Sequence, residues 1–175
     1  PGLRPAIESA LWSYGNWLYE HFDCVVTPSR MIADIVAAHT RSRPQPISNG
    51  VDVNRFNPTP AYRGEGDTLR RKYGLDPGLP IILYAGRIDA DKRVDLVVRA
   101  ATQALRSINA QLLIVGDGKQ LKAVIKLSEA LGIRQFSHFP GFVSAQGDLP
   151  GLYRTASVFI TASEVEIQSS VVLEA

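Results

Sequence analysis

Residues 81–86 read Ile-Ile-Leu-Tyr-Ala-Gly, and residues 112–116 read Leu-Leu-Ile-Val-Gly. Each is a short apolar run that ends on a glycine. A run without polar alternation is expected of a strand buried on both faces, as in a parallel sheet covered by helices. Between the two runs, Val94, Val97, Val98, Ala101, Leu105 and Ile108 recur every three or four positions, which marks one face of a helix. The alternation continues. Leu121, Val124, Ile125, Ser128 and Leu131 predict a second helix, stopped at Gly132. Residues 136–139 predict a shorter strand, 149–156 a short helix, 158–161 another strand, and a last helix starts near Ser169. Strands alternating with helices imply a parallel sheet with right-handed crossovers. Ligands of such sheets bind beyond the carboxyl ends of the strands. The loops after Ala85, Val115, Phe139 and Thr161 are therefore where chemistry is expected.

Upstream, Ile7, Leu11, Tyr14, Leu18 and Phe22 predict a helix over 5–22, and residues 24–27 a short strand. Pro28 suits the first turn of a following helix, with Thr27 as its candidate cap. Met31, Ile32, Ile35 and Val36 fill that helix to about His39, and a second short strand is expected near 46–48. Asn49-Gly50 predicts a turn. Residues 52–67 carry Pro58, Pro60, Gly64 and Gly66 without periodicity and read as a linker. Asp67 is a candidate cap for a helix over 68–73, closed by Gly74.

The bulk properties narrow the class. Hydrophobic residues make up 45% and charged residues 21% of the 175, with a net charge of +2 and no long basic run. That is a globular profile without the electrostatic footprint of a nucleic-acid binder. Cys24 is the single cysteine and has no partner at metal-ligand spacing; His21, His39 and His138 are scattered. No signal-peptide pattern is read, and no apolar stretch reaches the roughly 18 residues of a membrane span. A reducing, cytoplasmic setting is the default expectation. The chain starts at Pro1 and ends at Ala175 inside an apolar helical pattern. It reads as an internal piece of a longer protein, truncated at both ends.

Each candidate loop is ambiguous alone. Gly86-Arg87-Ile88-Asp89-Ala90-Asp91-Lys92-Arg93 combines a small residue at a strand end, a guanidinium fork and a lysine near a helix start, which together suit phosphate oxygens. In isolation, a solvated turn is the favoured reading of such a loop. Val115-Gly116-Asp117-Gly118 is a tight turn that does not complete a dinucleotide fingerprint. Pro140-Gly141-Phe142-Val143 could edge a ligand with its backbone. In residues 162–175, Glu166 precedes a helix that carries Glu174, with unpaired N–H groups between them. Two glutamates at that spacing can also be plain surface residues.

The joint order is more specific. Gly-Arg-x4-Lys, Val-Gly-Asp-Gly, Pro-Gly-Phe-Val and Glu-x7-Glu-Ala, in that sequence, resemble the retaining family-4 glycosyltransferases of the two-domain GT-B fold. Residues 47–58, Ile-Ser-Asn-Gly-Val-Asp-Val-Asn-Arg-Phe-Asn-Pro, are similar to that family's interdomain connection. Residues 23–29 are similar to the last strand of its amino-terminal domain. The resemblance runs from about residue 20 to the end. It implies an α/β fold of parallel sheets flanked by helices, the Rossmann-like halves of a GT-B enzyme. Residues 1–48 would close the amino-terminal, acceptor-binding domain, 49–78 form the connector and linker, and 79–175 begin the nucleotide-sugar-binding domain.

By the same resemblance, Gly86 lets the donor approach, and Arg87 and Lys92 bind its diphosphate. The backbone of Val143 borders the base. Glu166 touches and positions the transferred sugar, as the expected catalytic residue. Glu174 accepts hydrogen bonds from the ribose, and backbone groups of Ser169 and Ser170 help cradle the diphosphate. Two departures stand out. Ile167-Gln168-Ser169 replaces a frequent Gly-Phe-Gly, where Gln168 is closer to glycolipid-forming members, and Asp91 replaces a usual glutamate.

The implied reaction moves a sugar from a nucleoside-diphosphate sugar to an acceptor hydroxyl, with the anomeric configuration kept and without metal or other cofactor. The acceptor would be a lipid or a sugar. A non-hydrolysing sugar-nucleotide epimerase and a non-catalytic nucleotide-binding module are the alternatives. Trp12, Tyr14, Trp17 and Tyr19 spread around the first helix. They suit either a membrane inner face or packing against further amino-terminal structure, the second being favoured. Because the acceptor site falls mostly outside these residues, the 175-residue chain alone is expected not to catalyse transfer.

Overall fold

The computed structural model describes residues 3–175. Its contacts divide the chain into two compact units, one of residues 1–50 with 167–170 and one of 51–166 with 171–175.

In the first unit, α1 (Leu3–Tyr19), β1 (Val26–Thr27), α2 (Arg30–His39) and β2 (Gln45–Pro46) follow one another. The two short strands pair in parallel, Val26 beside Gln45 and Thr27 beside Pro46. Helix α2 is capped by Ser29, whose Oγ accepts from the Ile32 N–H at 3.3 Å. Thr27, the expected cap, instead donates its hydroxyl to the Ser29 carbonyl. Pro28 thus lies just outside the helix, and the serine after it meets the free N–H. On α1, Ile7, Leu11, Tyr14 and Trp17 are exposed. Trp12 is not: its ring stacks on His39, with centroids 4.3 Å apart.

In the second unit, α3 (Glu65–Lys72) precedes β3 (Ile81–Ala85), α4 (Val94–Ser107), β4 (Gln111–Val115), α5 (Leu121–Ala130), β5 (Ser137–Gly141), α6 (Leu149–Thr155) and β6 (Val158–Phe159); α7 (Ser170–Glu174) closes the chain. The sheet is all parallel, in the order β5-β4-β3-β6. Every residue of β3 and β4 is buried. Alternate side chains serve opposite faces. Ile82, Tyr84, Leu112 and Ile114 pack with Val94, Val97, Val98, Ala101 and Val124 of α4 and α5. Ile81, Leu83, Ala85, Leu113 and Val115 pack with Leu69, Leu149 and Leu152 of α3 and α6. The expected strand–helix alternation is therefore found, with boundaries shifted by a few residues.

Helix α3 departs most. It starts at Glu65 after a left-handed Gly64, and Asp67 is not its cap. The cause is tertiary. Arg154 of α6 grips both oxygens of the buried Glu65, at 2.6 and 2.9 Å, and donates to the carbonyls of Arg55 and Asn57. That pair draws the first turn of α3 and the preceding linker onto α6. Gly151 allows the approach, since a Cβ there would stand 2.6 Å from Leu69.

Candidate functional site

The loops after β3, β4 and β5 are laced together by their backbones. The Gly86 N–H donates to the Val115 carbonyl, Ile88 to Asp117, Gln120 to Ile88, and Gly116 to Gly141, all at 2.8–3.0 Å. This contact explains the Gly-Asp-Gly turn. A Cβ on Gly116 (φ 139°) would lie 1.8 Å from the Gly86 oxygen, and one on Gly118 would lie 2.4 Å from the Ile88 oxygen. The glycines let one loop backbone seat directly on the next. Asp89 adds a further tie, its Oδ1 accepting from the Lys119 N–H.

Beneath this loop, the buried Tyr84 hydroxyl donates to the Arg87 carbonyl at 2.6 Å. Burial first, then the nearby Asp91 and Glu166 charges, push its phenol up to about 12, so it remains a donor at neutral pH. Arg87 itself points its fork at two acids of its own loop, Asp89 at 2.5 Å and Asp91 at 3.1 Å, and its side chain is 64% exposed. Lys92 is far less accessible, at 18%. Its Nζ reaches Glu166 at 2.8 Å and the Ser163 hydroxyl at 3.2 Å, with Asp91 at 3.8 Å. The Lys92 hydrogen bond holds the Glu166 carboxyl below its ordinary range.

Lys92 and Glu166, 74 positions apart, thus meet beyond the carboxyl ends of the adjacent strands β3 and β6. Arg87 is tied to them through the shared Asp91. Arg93 takes a left-handed backbone (φ 46°) at the start of α4 and pairs with Asp95 and Glu164. The edge therefore carries three cations already matched by five carboxylates. Sequence reasoning named Arg87, Lys92 and Glu166 but not their pairing, and gave Arg93 no role. Arg87 and Asp91 stand four apart, a spacing that could have suggested their pairing. Ser163 and Glu164 carried no such signal.

Val143 and Glu174 have other partners. Val143 packs its side chain against the core on the α3–α6 side of the sheet. Glu174 is half-buried on α7, where burial raises its carboxyl above the ordinary range. Its bonded partner among the described residues is the Tyr153 hydroxyl, a residue sequence reasoning missed. Ser170 opens α7 and Ser169 precedes it; both group with the first unit. Gln168 uses its side-chain amide on the connector, accepting from the Asn49 N–H and donating to Ser48, each at 2.6 Å. Among the described residues, no group of three or more His, Cys, Asp or Glu is placed to hold a metal ion.

The parallel sheet flanked by helices is the fold of solved GT-B glycosyltransferases. Anabaena Alr3699/HepE, crystallised with UDP and glucose, matches with a TM-score of 0.81 at 18% identity, over 95% of this chain and 45% of that one. Over residues 65–175 the sequence matches the family described as Glycosyl transferases group 1, and the chain belongs to that family. It is 36% identical over 117 residues to the alpha-D-kanosaminyltransferase of Streptomyces kanamyceticus, covering 66% of this chain and 29% of that protein. It is 30% identical over 175 residues to the GDP-mannose-dependent alpha-mannosyltransferase of Mycobacterium tuberculosis (strain CDC 1551 / Oshkosh), covering 98% of this chain and 41% of that protein. The chain spans less than half the length of each of these proteins.

Proposed function

We propose that the protein transfers a sugar from a nucleoside-diphosphate sugar to an acceptor hydroxyl, on a lipid or a sugar, with retention of the anomeric configuration. The observation that carries this reading is the Lys92–Glu166 pair at the carboxyl edge. Two residues assigned to the donor on separate motifs sit within one hydrogen bond of each other. In the proposed complex Lys92 and Arg87 turn to the diphosphate, where negative charge builds as the sugar leaves, and stabilise it. Glu166 is then released to the sugar hydroxyls. Glu174 accepts from the ribose, the Val143 backbone borders the base, and the N–H groups of Ser169 and Ser170 are further donors to phosphate. Holding donor and acceptor in register supplies much of the remaining acceleration. Gln168 is proposed to brace the connector through Ser48 and Asn49 rather than to select the acceptor.

The test is to incubate full-length protein with uridine, guanosine and adenosine diphosphate sugars and a panel of lipid and sugar acceptors. Product configuration is read by NMR. Transfer with retention is expected. Inversion at the anomeric carbon, or epimerised donor without transfer, overturns the proposal.

A further inference from the structure

Helix α7 is a weakly held element. It has five residues, none of them buried, and Val172 and Leu173 are exposed. So short a helix is not stable by its own hydrogen bonds. Among the described residues, the side-chain hydrogen bonds that reach 171–174 come from one group, the Tyr153 hydroxyl. It lies 3.2 Å from the Val171 carbonyl and 3.4 Å from Glu174 Oε2. Tyr153 is itself well anchored. It sits on α6, its ring 5.9 Å from Phe56 and 5.7 Å from Phe159, packed against the core on that side of the sheet.

We propose that Tyr153 is a positioning residue for donor recognition: its hydroxyl fixes the backbone of α7 and aims the Glu174 carboxylate. The inference rests on the reading of Glu174 as the acceptor for ribose hydroxyls. One phenolic proton shared between a carbonyl and a carboxylate oxygen ties the direction of the side chain to that of its helix. The second carboxylate oxygen keeps its lone pairs for a ligand. Burial and the Glu174 charge both raise the Tyr153 phenol, so it stays a donor across the neutral range.

The experiment compares each of uridine, guanosine and adenosine diphosphate with its 2′,3′-dideoxy form. Binding to full-length protein is measured by calorimetry. Wild type is expected to prefer the ribose form. Tyr153→Phe keeps the ring packing and removes only the hydroxyl. It should cut that preference by about threefold to tenfold, the worth of one hydrogen bond, and leave the dideoxy affinity unchanged. Glu174→Ala should abolish the preference, and adding Tyr153→Phe to it should change nothing further. A merely structural role would weaken both forms alike and leave the ratio intact. That result, or a full preference in Tyr153→Phe, overturns the positioning role. A wild type that does not distinguish the two forms, or a Glu174→Ala protein that still does, overturns the ribose reading instead. Failure of all three diphosphates to bind wild type overturns the nucleotide reading itself.

Discussion

Replacing Glu166 by glutamine should tighten the binding of a free nucleoside diphosphate while slowing transfer. Lys92 is assigned to the diphosphate, yet its ammonium is held by Glu166 at 2.8 Å. A diphosphate that takes Lys92 must first displace that carboxylate. The pair is partly sheltered, with side-chain exposures of 18% and 31%. It is thus worth more than a median surface pair, which contributes about 0–1 kcal/mol, and less than a buried one, whose rupture costs about 3–5 kcal/mol. Glutamine keeps a carbonyl for Lys92 but removes the charge. It therefore returns only part of that cost, about 1 kcal/mol, or about fivefold in Kd. Lys92→Met should move the other way. Loss of a charge-assisted contact weakens binding by about 1.5–3 kcal/mol, roughly 10- to 150-fold. Calorimetry on full-length wild type, Glu166→Gln and Lys92→Met reads both changes, with melting curves confirming that the variants are folded. Weaker binding in Glu166→Gln would show that the carboxylate supports the diphosphate site and would refute the exchange of partners.

Arg154→Met leaves the buried Glu65 carboxylate unpaired and should cost about 3–5 kcal/mol in chemical denaturation, whereas a double variant with Glu65→Leu should recover most of the loss. The Arg154 hydrogen bond holds the Glu65 carboxyl below its ordinary value, so its stabilisation is present above the unfolded-state pKa and disappears as pH falls through the folded one; removing Arg154 should flatten the stability profile in that acid window. Gly116→Ala should destabilise by about 3 kcal/mol or more, because its Cβ would meet the Gly86 oxygen at 1.8 Å, and a melting temperature within a degree of wild type would contradict the loop contact. Liposome flotation should be equal for full-length wild type and Leu11→Ala/Trp17→Ala, since the exposed face of α1 is read as a protein-packing surface; reduced flotation of the variant would favour the membrane instead.

The sheet was legible because its signals are local. Ile81–Ala85 and Leu112–Val115 are apolar without interruption, and they form the two strands buried on both sides. Val94, Val97, Val98 and Ala101 share a helical face in sequence and share the core in space. Misreadings fall where tertiary contacts decide. Asp67 is a good cap by residue type, but the Glu65–Arg154 pair spans 89 positions and α3 starts three residues earlier than expected. Nothing near Glu65 in the chain announces an arginine that far away. Pro28 suited a first turn, yet Ser29 beside it offered a hydroxyl in reach of Ile32.

At the carboxyl edge, residue types were legible and their couplings were not. Arg87, Lys92 and Glu166 stood out as charges placed by strand ends. Their pairing changes what they mean. A cation bonded to a carboxylate is not an open anion site, and any phosphate that binds there does so by exchange. Arg87 is held by Asp89 and Asp91, Lys92 by Glu166, and Arg93 by Asp95 and Glu164. With five carboxylates around three cations, an incoming diphosphate must compete with acids already bonded to each cation. Affinity then depends on how readily each acid finds a substitute partner. Asp89 is tied to the Lys119 N–H and Asp91 lies beside Lys92 as well as Arg87, so both can release Arg87 without being stranded. Glu166 has no second cation within bonding distance among the described residues, and sugar hydroxyls are the donors that would replace Lys92. On this argument a free diphosphate meets resistance at Lys92 that an intact nucleotide sugar does not. The donor should therefore bind more tightly than its own leaving group, and the difference should vanish in Glu166→Gln.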